Sequence, residues 1–207
     1  MFQVGRVGMK RNKVIGLTGG ISSGKSLVTA YLEEKGYPVI DSDKIVRDLQ
    51  ESPQLLKKIG DLFPGLVDQG VLQREKLGRL VFSDEKERKK LDDLMHPLVF
   101  SVIEQEIQDR QGLVFVDMPL LLETLDRQKN ISYDEIWLVW LPKDKQIQRL
   151  MKRDSINQAY ARQKIDAQMS LEAKKVHADV LIDNSQDPKT TLKQVDRELK
   201  RLCDGAC

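Results

Sequence analysis

The sequence predicts a doubly wound α/β fold, a parallel sheet with helices packed on both of its faces. Three observations lead there. The apolar, β-branched runs are continuous rather than alternating, as in strands buried on both sides. A glycine-rich turn joins the first run to a helical stretch, and a second apolar run follows that helix, closing a βαβ unit.

Taken in order, Val14-Ile15-Gly16-Leu17-Thr18 is the first expected strand, and it leads into the glycine loop. The stretch from Lys25 to Lys35 has helical pattern and ends at Gly36, where a terminating glycine belongs. Tyr37-Pro38-Val39-Ile40 ends in acids, and Leu113-Val114-Phe115-Val116 ends at Asp117. Ile136 to Leu141 stops at Pro142, and Val180-Leu181-Ile182 stops at Asp183-Asn184. Residues 13–43, 111–142 and 178–202 are therefore expected to make the core.

Two stretches break the alternation. Residues 44–110 hold no convincing strand, only helical spacing at Ile45, Val46 and Leu49 and again at Leu55, Leu56 and Ile59. Leu91, Leu94 and Met95 then lead to an expected break at His96-Pro97, followed by a helix through Val99, Val102, Ile103 and Ile107. This insertion is expected to be an acceptor-binding subdomain. Residues 143–177 are highly charged and helical between the last two strands, the place of a lid.

Composition narrows the function classes. A chain of 207 residues fits one compact domain with small inserted substructures. The formal net charge is +2 with 32% charged residues interspersed in sign, so nothing calls for nucleic acid as a partner. A short basic run (Arg6, Lys10, Arg11, Lys13) flanks the first strand, and Met9 is a second candidate start that would leave residues 1–8 as an extension. No apolar run approaches a membrane span, and none reads as a signal peptide. Cys203 and Cys207 cannot staple a core, complete a zinc site or form a prenylation box. They read as free thiols in a frayed tail of a cytoplasmic protein.

The chemistry concentrates in Gly19-Gly20-Ile21-Ser22-Ser23-Gly24-Lys25-Ser26, a full match to G-x-x-x-x-G-K-[ST] between a strand and a helix. Glycines let backbone N–H groups wrap a phosphate, and the helix N-terminus adds about half a positive charge. Gly19, Gly20, Ser22, Ser23 and Gly24 are thus candidate ATP ligands, with Leu27 adding only its N–H. Lys25 is expected to reach the β- and γ-phosphates, and Ser26 to offer its hydroxyl to Mg²⁺. Asp117, at a strand end, has the look of an acid that holds Mg²⁺ through water, or of a turn aspartate. A GTPase would carry an Asn-Lys-x-Asp box, but the one Asn-Lys pair, Asn12-Lys13, lies upstream and lacks the Asp. A motor ATPase would follow its strand-end Asp with Glu, not Met118-Pro119.

A second substrate is suggested by the remaining polar groups. If the strand continues through Asp41-Ser42-Asp43, both carboxylates share one side, at the carboxyl edge where ligands sit. One of them can take the acceptor's proton, and one can instead cap the next helix. Arg149 and Arg153 share a face of the presumed lid helix and suit either a phosphoryl clamp or a solvated surface. His96 is either a helix-boundary residue or a ligand contact, and His177 reads as surface or packing.

Together these segments resemble the dephospho-coenzyme A kinase family of P-loop kinases. The resemblance rests on the residues 17–26, Val39-Ile-Asp-Ser-Asp43, His96-Pro-Leu98, Pro119-Leu-Leu-Leu-Glu123, Arg149-x-x-x-Arg153-Asp154 and Ala178-Asp-Val-Leu-Ile-Asp-Asn184, in that order. It implies transfer of the ATP γ-phosphate to the ribose 3′-hydroxyl of dephospho-CoA, the last step of coenzyme A synthesis. It further implies Asp43 as base, Arg149 and Arg153 as lid arginines, Asn184 near adenine, and His96 on the acceptor side. Leu27 stands where the family commonly has Thr, and Lys164 where an Arg often occurs. A different small-molecule kinase and a nucleotide-binding regulatory module are the competing readings; acceptor-dependent ADP release separates them.

Overall fold

The computed structural model describes residues 12–204. Arg6, Met9, Lys10, Arg11 and Cys207 lie outside the described residues. The chain divides into two compact units, one of them Asp41–Glu106 and the other formed by the segments on either side.

The flanking segments build the sheet. β1 (Lys13–Gly19) is followed by α1 (Lys25–Glu34) and β2 (Val39–Asp41). After the inserted unit come β5 (Leu113–Asp117), a 3₁₀ turn (Leu122–Arg127) and β6 (Glu135–Trp140). Helices α6 (Lys143–Asp154), α7 (Gln158–Asp166) and α8 (Leu171–Lys175) lead to β7 (Val180–Asp183) and α9 (Pro188–Asp204). The strand order is β2-β5-β1-β6-β7, and β1 pairs in parallel with both β5 and β6. β1 therefore sits at the centre, and its carboxyl end opens beside those of β5 and β6.

Burial explains why these runs are strands. Ile15 and Leu17 of β1 join Phe115, Trp137, Val139 and Ile182 in one core, closed by Val28 and Leu32 of α1 and by Val195, Leu199 and Leu202 of α9. Phe115 and Trp137 meet edge to face at 5.4 Å. Each such side chain contributes about 1.5–3 kcal/mol by leaving water. Leu138, Leu141 and Leu171 cluster separately, as do Ile147, Leu150, Ala161 and Ile165 of α6 and α7. Leu199 and Leu202 carry α9 to Asp204, so Cys203 belongs to a packed helix and not to a frayed tail. Its thiol is exposed, 3.9 Å from the Tyr37 hydroxyl.

The unit Asp41–Glu106 contains α2 (Ser42–Leu49), α3 (Pro53–Leu62), α4 (Arg74–Ser83) and most of α5 (Glu85–Gln108). It departs from the expectation in two places. β3 (Val67–Asp68) and β4 (Val71–Leu72) form a small hairpin where only helix was expected. Gln69 and Gly70 both have positive φ, 47° and 78°, the tight turn that matches strand twist; with two-residue strands the alternation was too short to read. In addition, α5 runs unbroken through His96-Pro97. Proline removes one N–H from the ladder, but the buried Met95, Val99 and Ile103 repeat on one face across it and hold both halves in one helix.

Candidate active site

The glycine motif sits where β1 ends and α1 begins. Gly24 caps α1 at φ 93°, and Ser22 holds a positive φ of 58°. Both conformations turn the chain back on itself, and Ser23 N–H donates to the Gly20 carbonyl at 3.1 Å. The hydroxyls of Ser22 and Ser23 are buried and have no hydrogen-bond partner among the described residues. Leu27 N–H donates to the Gly24 carbonyl at 3.0 Å, so the donor expected to face a phosphate is engaged in the first helical turn.

Register brings the acid to the lysine. Asp117, the last residue of β5, pairs with Leu17 on β1. Its Oδ1 accepts from Lys25 Nζ in a close ion pair, and its Oδ2 accepts from the Thr29 hydroxyl at 2.7 Å. The carboxylate is nearly buried, at 4% exposure, so both partners are needed to offset its desolvation. Thr29 carried no motif signal; it is found only because one helical turn places it above Lys25. Ser26 is exposed at the start of α1.

The two arginines of α6 part company. Arg149 Nη2 donates to the Asn184 carbonyl at 3.0 Å, beside the glycine loop. Arg153 is drawn to Asp154, with Nε 2.7 Å from Oδ1, and Lys164 reaches the same carboxylate at 3.1 Å. Hydrogen bonds from Arg153 and then Lys164 hold the Asp154 carboxyl down at about 2. Asn184 is buried, its Nδ2 donating to the Ser23 carbonyl at 2.7 Å and its Oδ1 accepting from Thr191 at 2.9 Å. Its amide thus braces the loop. Gln146 and Lys174, which no motif singled out, also bond the loop: to the Ile21 carbonyl at 2.8 Å and the Gly19 carbonyl at 3.0 Å.

In the inserted unit the extended conformation stops at Asp41, so the expected two-residue alternation of carboxylates does not occur. Asp41 caps α2, with Oδ1 accepting from Asp43 N–H at 2.8 Å and Lys44 N–H at 3.1 Å. The competition between strand and cap is settled by those two otherwise unbonded helix donors. Asp43 lies exposed in the first turn of α2, where the helix dipole favours its negative charge. His96 is half-buried within α5, stacked on Phe100 at 5.4 Å with Nε2 3.8 Å from Asp92 Oδ1. His177 is exposed.

A parallel sheet with a strand–glycine loop–helix at its centre, a loop lysine paired to a strand-end aspartate, and arginine-bearing helices beyond defines a P-loop kinase. The family model described as Dephospho-CoA kinase matches residues 13–189. Curated relatives of that name from Shouchella clausii and Streptococcus mutans are 41% and 40% identical, covering 87% and 92% of this chain and 94% and 98% of their own. The chain belongs to the dephospho-CoA kinase family. Among solved structures, TT1252 from Thermus thermophilus is 32% identical with a TM-score of 0.80, over 96% of this chain and 100% of its own. A shikimate kinase from Acinetobacter baumannii, 15% identical, shares the fold at a TM-score of 0.53 over 94% and 95%. No helix among the described residues is long and apolar enough to cross a membrane.

Proposed function

We propose that the chain carries out its family's reaction, moving the γ-phosphoryl group of ATP to the ribose 3′-hydroxyl of dephospho-CoA to give coenzyme A and ADP. The observation that carries this reading is the junction of the loop, Lys25 and Asp117 at the carboxyl end of β1 and β5, within a chain of this family. Gly20, Ser22 and Gly24 cradle the phosphates with N–H groups, Gly19 leads the chain into the loop, and Ser23 adds its hydroxyl, which has no partner among the described residues. Lys25 leaves Asp117 to bond the β- and γ-oxygens. Arg149 neutralises charge developing on the transferred group, with Arg153 released from Asp154 as a second donor. Asp43 accepts the hydroxyl proton, Asp41 holds the turn that presents it, and His96 faces the acceptor.

Ser26 and Asp117 would hold Mg²⁺. Their donors are a hydroxyl and a carboxylate, hard oxygens suited to that ion, and no cluster of three or more acidic, His or Cys side chains exists among the described residues to supply more. Bound there, the ion would neutralise phosphate charge. Residues 44–110 serve as the acceptor subdomain and 143–177 as a lid that excludes water. The enzyme works in the cytoplasm on these two small molecules, without nucleic acid.

The test is ADP release with and without dephospho-CoA, with the product's mass and phosphate position determined. Strict dependence on dephospho-CoA and a 3′-phosphate product are expected. Equal ADP release without the acceptor, or faster transfer to another alcohol, overturns the assignment.

A further inference from the structure

Three side chains grip the glycine loop from its outer side. Lys174 Nζ donates to the Gly19 carbonyl at 3.0 Å, Gln146 Nε2 to the Ile21 carbonyl at 2.8 Å, and Asn184 Nδ2 to the Ser23 carbonyl at 2.7 Å. These are alternate carbonyls along the loop, and the donors come from α8, α6 and the residue after β7. The described peptide bonds are all trans, so each C=O and the N–H that follows it point in opposite directions. Holding the carbonyls of Gly19, Ile21 and Ser23 outward turns the N–H groups of Gly20, Ser22 and Gly24 inward.

The glycines of the motif have a second reason to be there. A Cβ on Gly20 would lie 2.8 Å from Gln146 Nε2, and one on Gly24 would overlap the Asn184 amide. Glycine at these positions admits the braces on one side as well as a phosphate on the other.

Lys174 is the unusual member. It has no exposed surface, and its three ammonium hydrogens are matched by Gly19 O, Pro119 O at 2.8 Å and Glu123 Oε1 at 2.9 Å. Pro119 follows Asp117 by two residues, so one ammonium ties the start of the loop to the turn beyond the strand-end acid. Burial pushes its pKa down, Glu123 opposes that, and the charge of Lys25 adds to the downward push. Glu123 Oε2 is buried with no hydrogen-bond partner among the described residues, so the pair is held at a cost in desolvation. An apolar residue would pack α8 without that cost, but it could not hold two backbone carbonyls.

We propose that Lys174 is a positioning residue for phosphoryl transfer, holding the loop, with Gln146 and Asn184, in its phosphate-binding shape before nucleotide arrives. This rests on the reading that the loop binds the β- and γ-phosphates of ATP. The experiment measures binding of ADP, inorganic pyrophosphate and dephospho-CoA by calorimetry, with KM for ATP and kcat alongside. The variants are Lys174→Met, Lys174→Met/Glu123→Gln, which removes the unpaired carboxylate, and Gln146→Met, with Lys25→Ala as control.

Loss of the brace should weaken ADP and pyrophosphate by about tenfold or more in the Lys174 variants, and by about threefold in Gln146→Met. Dephospho-CoA affinity should stay within about twofold, a selectivity that mere loosening of the fold would not produce. A folded double variant with wild-type pyrophosphate affinity overturns the proposal. Should neither Lys174 variant fold, Gln146→Met decides, and unchanged pyrophosphate binding there overturns it equally. If Lys25→Ala also binds pyrophosphate normally, the phosphate reading of the loop has failed and takes the proposal with it.

Discussion

After β1 the chain runs through Gly20–Gly24 before α1 begins, whereas after β2 it passes directly into α2, with Asp41 as both last strand residue and helix cap. The first turn is wide, and its carbonyls are held by the buried side chains of Gln146, Lys174 and Asn184. The second is tight, held by one aspartate's own side chain, and it leaves Asp43 exposed. On the function proposed above, the difference separates two tasks. A phosphate cradle works best when its donors are fixed in advance, because none of the ligand's binding energy is then used to order them. A proton acceptor needs only reach and the right charge, which a first-turn carboxylate supplies.

Replacing Lys25 tests the rigid side most severely. Lys25→Ala should lower single-turnover transfer by two to three powers of ten, about 3–4 kcal/mol of transition-state stabilisation. Because it also strips a buried carboxylate of its partner, a lower melting temperature should accompany the loss. A folded variant within about fivefold of wild type would break the comparison, since the fixed loop would not be where the reaction occurs.

On the exposed side the effects should fall mainly on turnover. Asp43→Asn is expected to reduce kcat about a hundredfold, with nucleotide affinity and melting temperature nearly unchanged. Asp41→Asn should be milder in kcat and cost at most about 1 kcal/mol of stability, since the amide oxygen can still cap α2. If Asp41→Asn is slower by tenfold or more, the base belongs at Asp41 and not at Asp43.

Arg149 and Arg153 give a finer version of the same contrast. Arg149 lies beside the loop, whereas Arg153 is occupied by Asp154. Arg149→Ala should therefore lower kcat and kcat/KM together by about tenfold or more, and Arg153→Ala by about threefold. Equal losses would mean that Arg153, once released from Asp154, takes as large a share as Arg149. A rise in KM for ATP with constant kcat would move either arginine to ground-state binding.

The smallest effect concerns Asp154 itself. Its carboxyl is held at about 2 in the folded chain, below the ordinary 3.8, so its contribution to stability is present above 3.8 and lost as pH falls through 2. Asp154→Asn should lower the melting temperature slightly at pH 7. The gap from wild type should close as the pH is taken from 5 towards 2.

The sequence by itself determined the doubly wound sheet, because strands buried on both faces must be continuous apolar runs. It also determined the position of the glycine motif, because only glycines between a strand and a helix permit that turn. The tertiary structure alone decided between strand and cap at Asp41, since the choice depends on whether two helix N–H groups find another acceptor. It decided that α5 continues through Pro97, because Met95, Val99 and Ile103 find a common buried face that outweighs one missing hydrogen bond. It also decided the roles of Thr29, Gln146, Lys174 and Asn184. Their partners lie 88, 125, 155 and 161 residues away along the chain, a separation that local pattern cannot span. A lysine in a charged helical stretch, here one of the pair Lys174-Lys175, looks like a surface residue until packing removes its water, and only then do its three bonds give it a purpose.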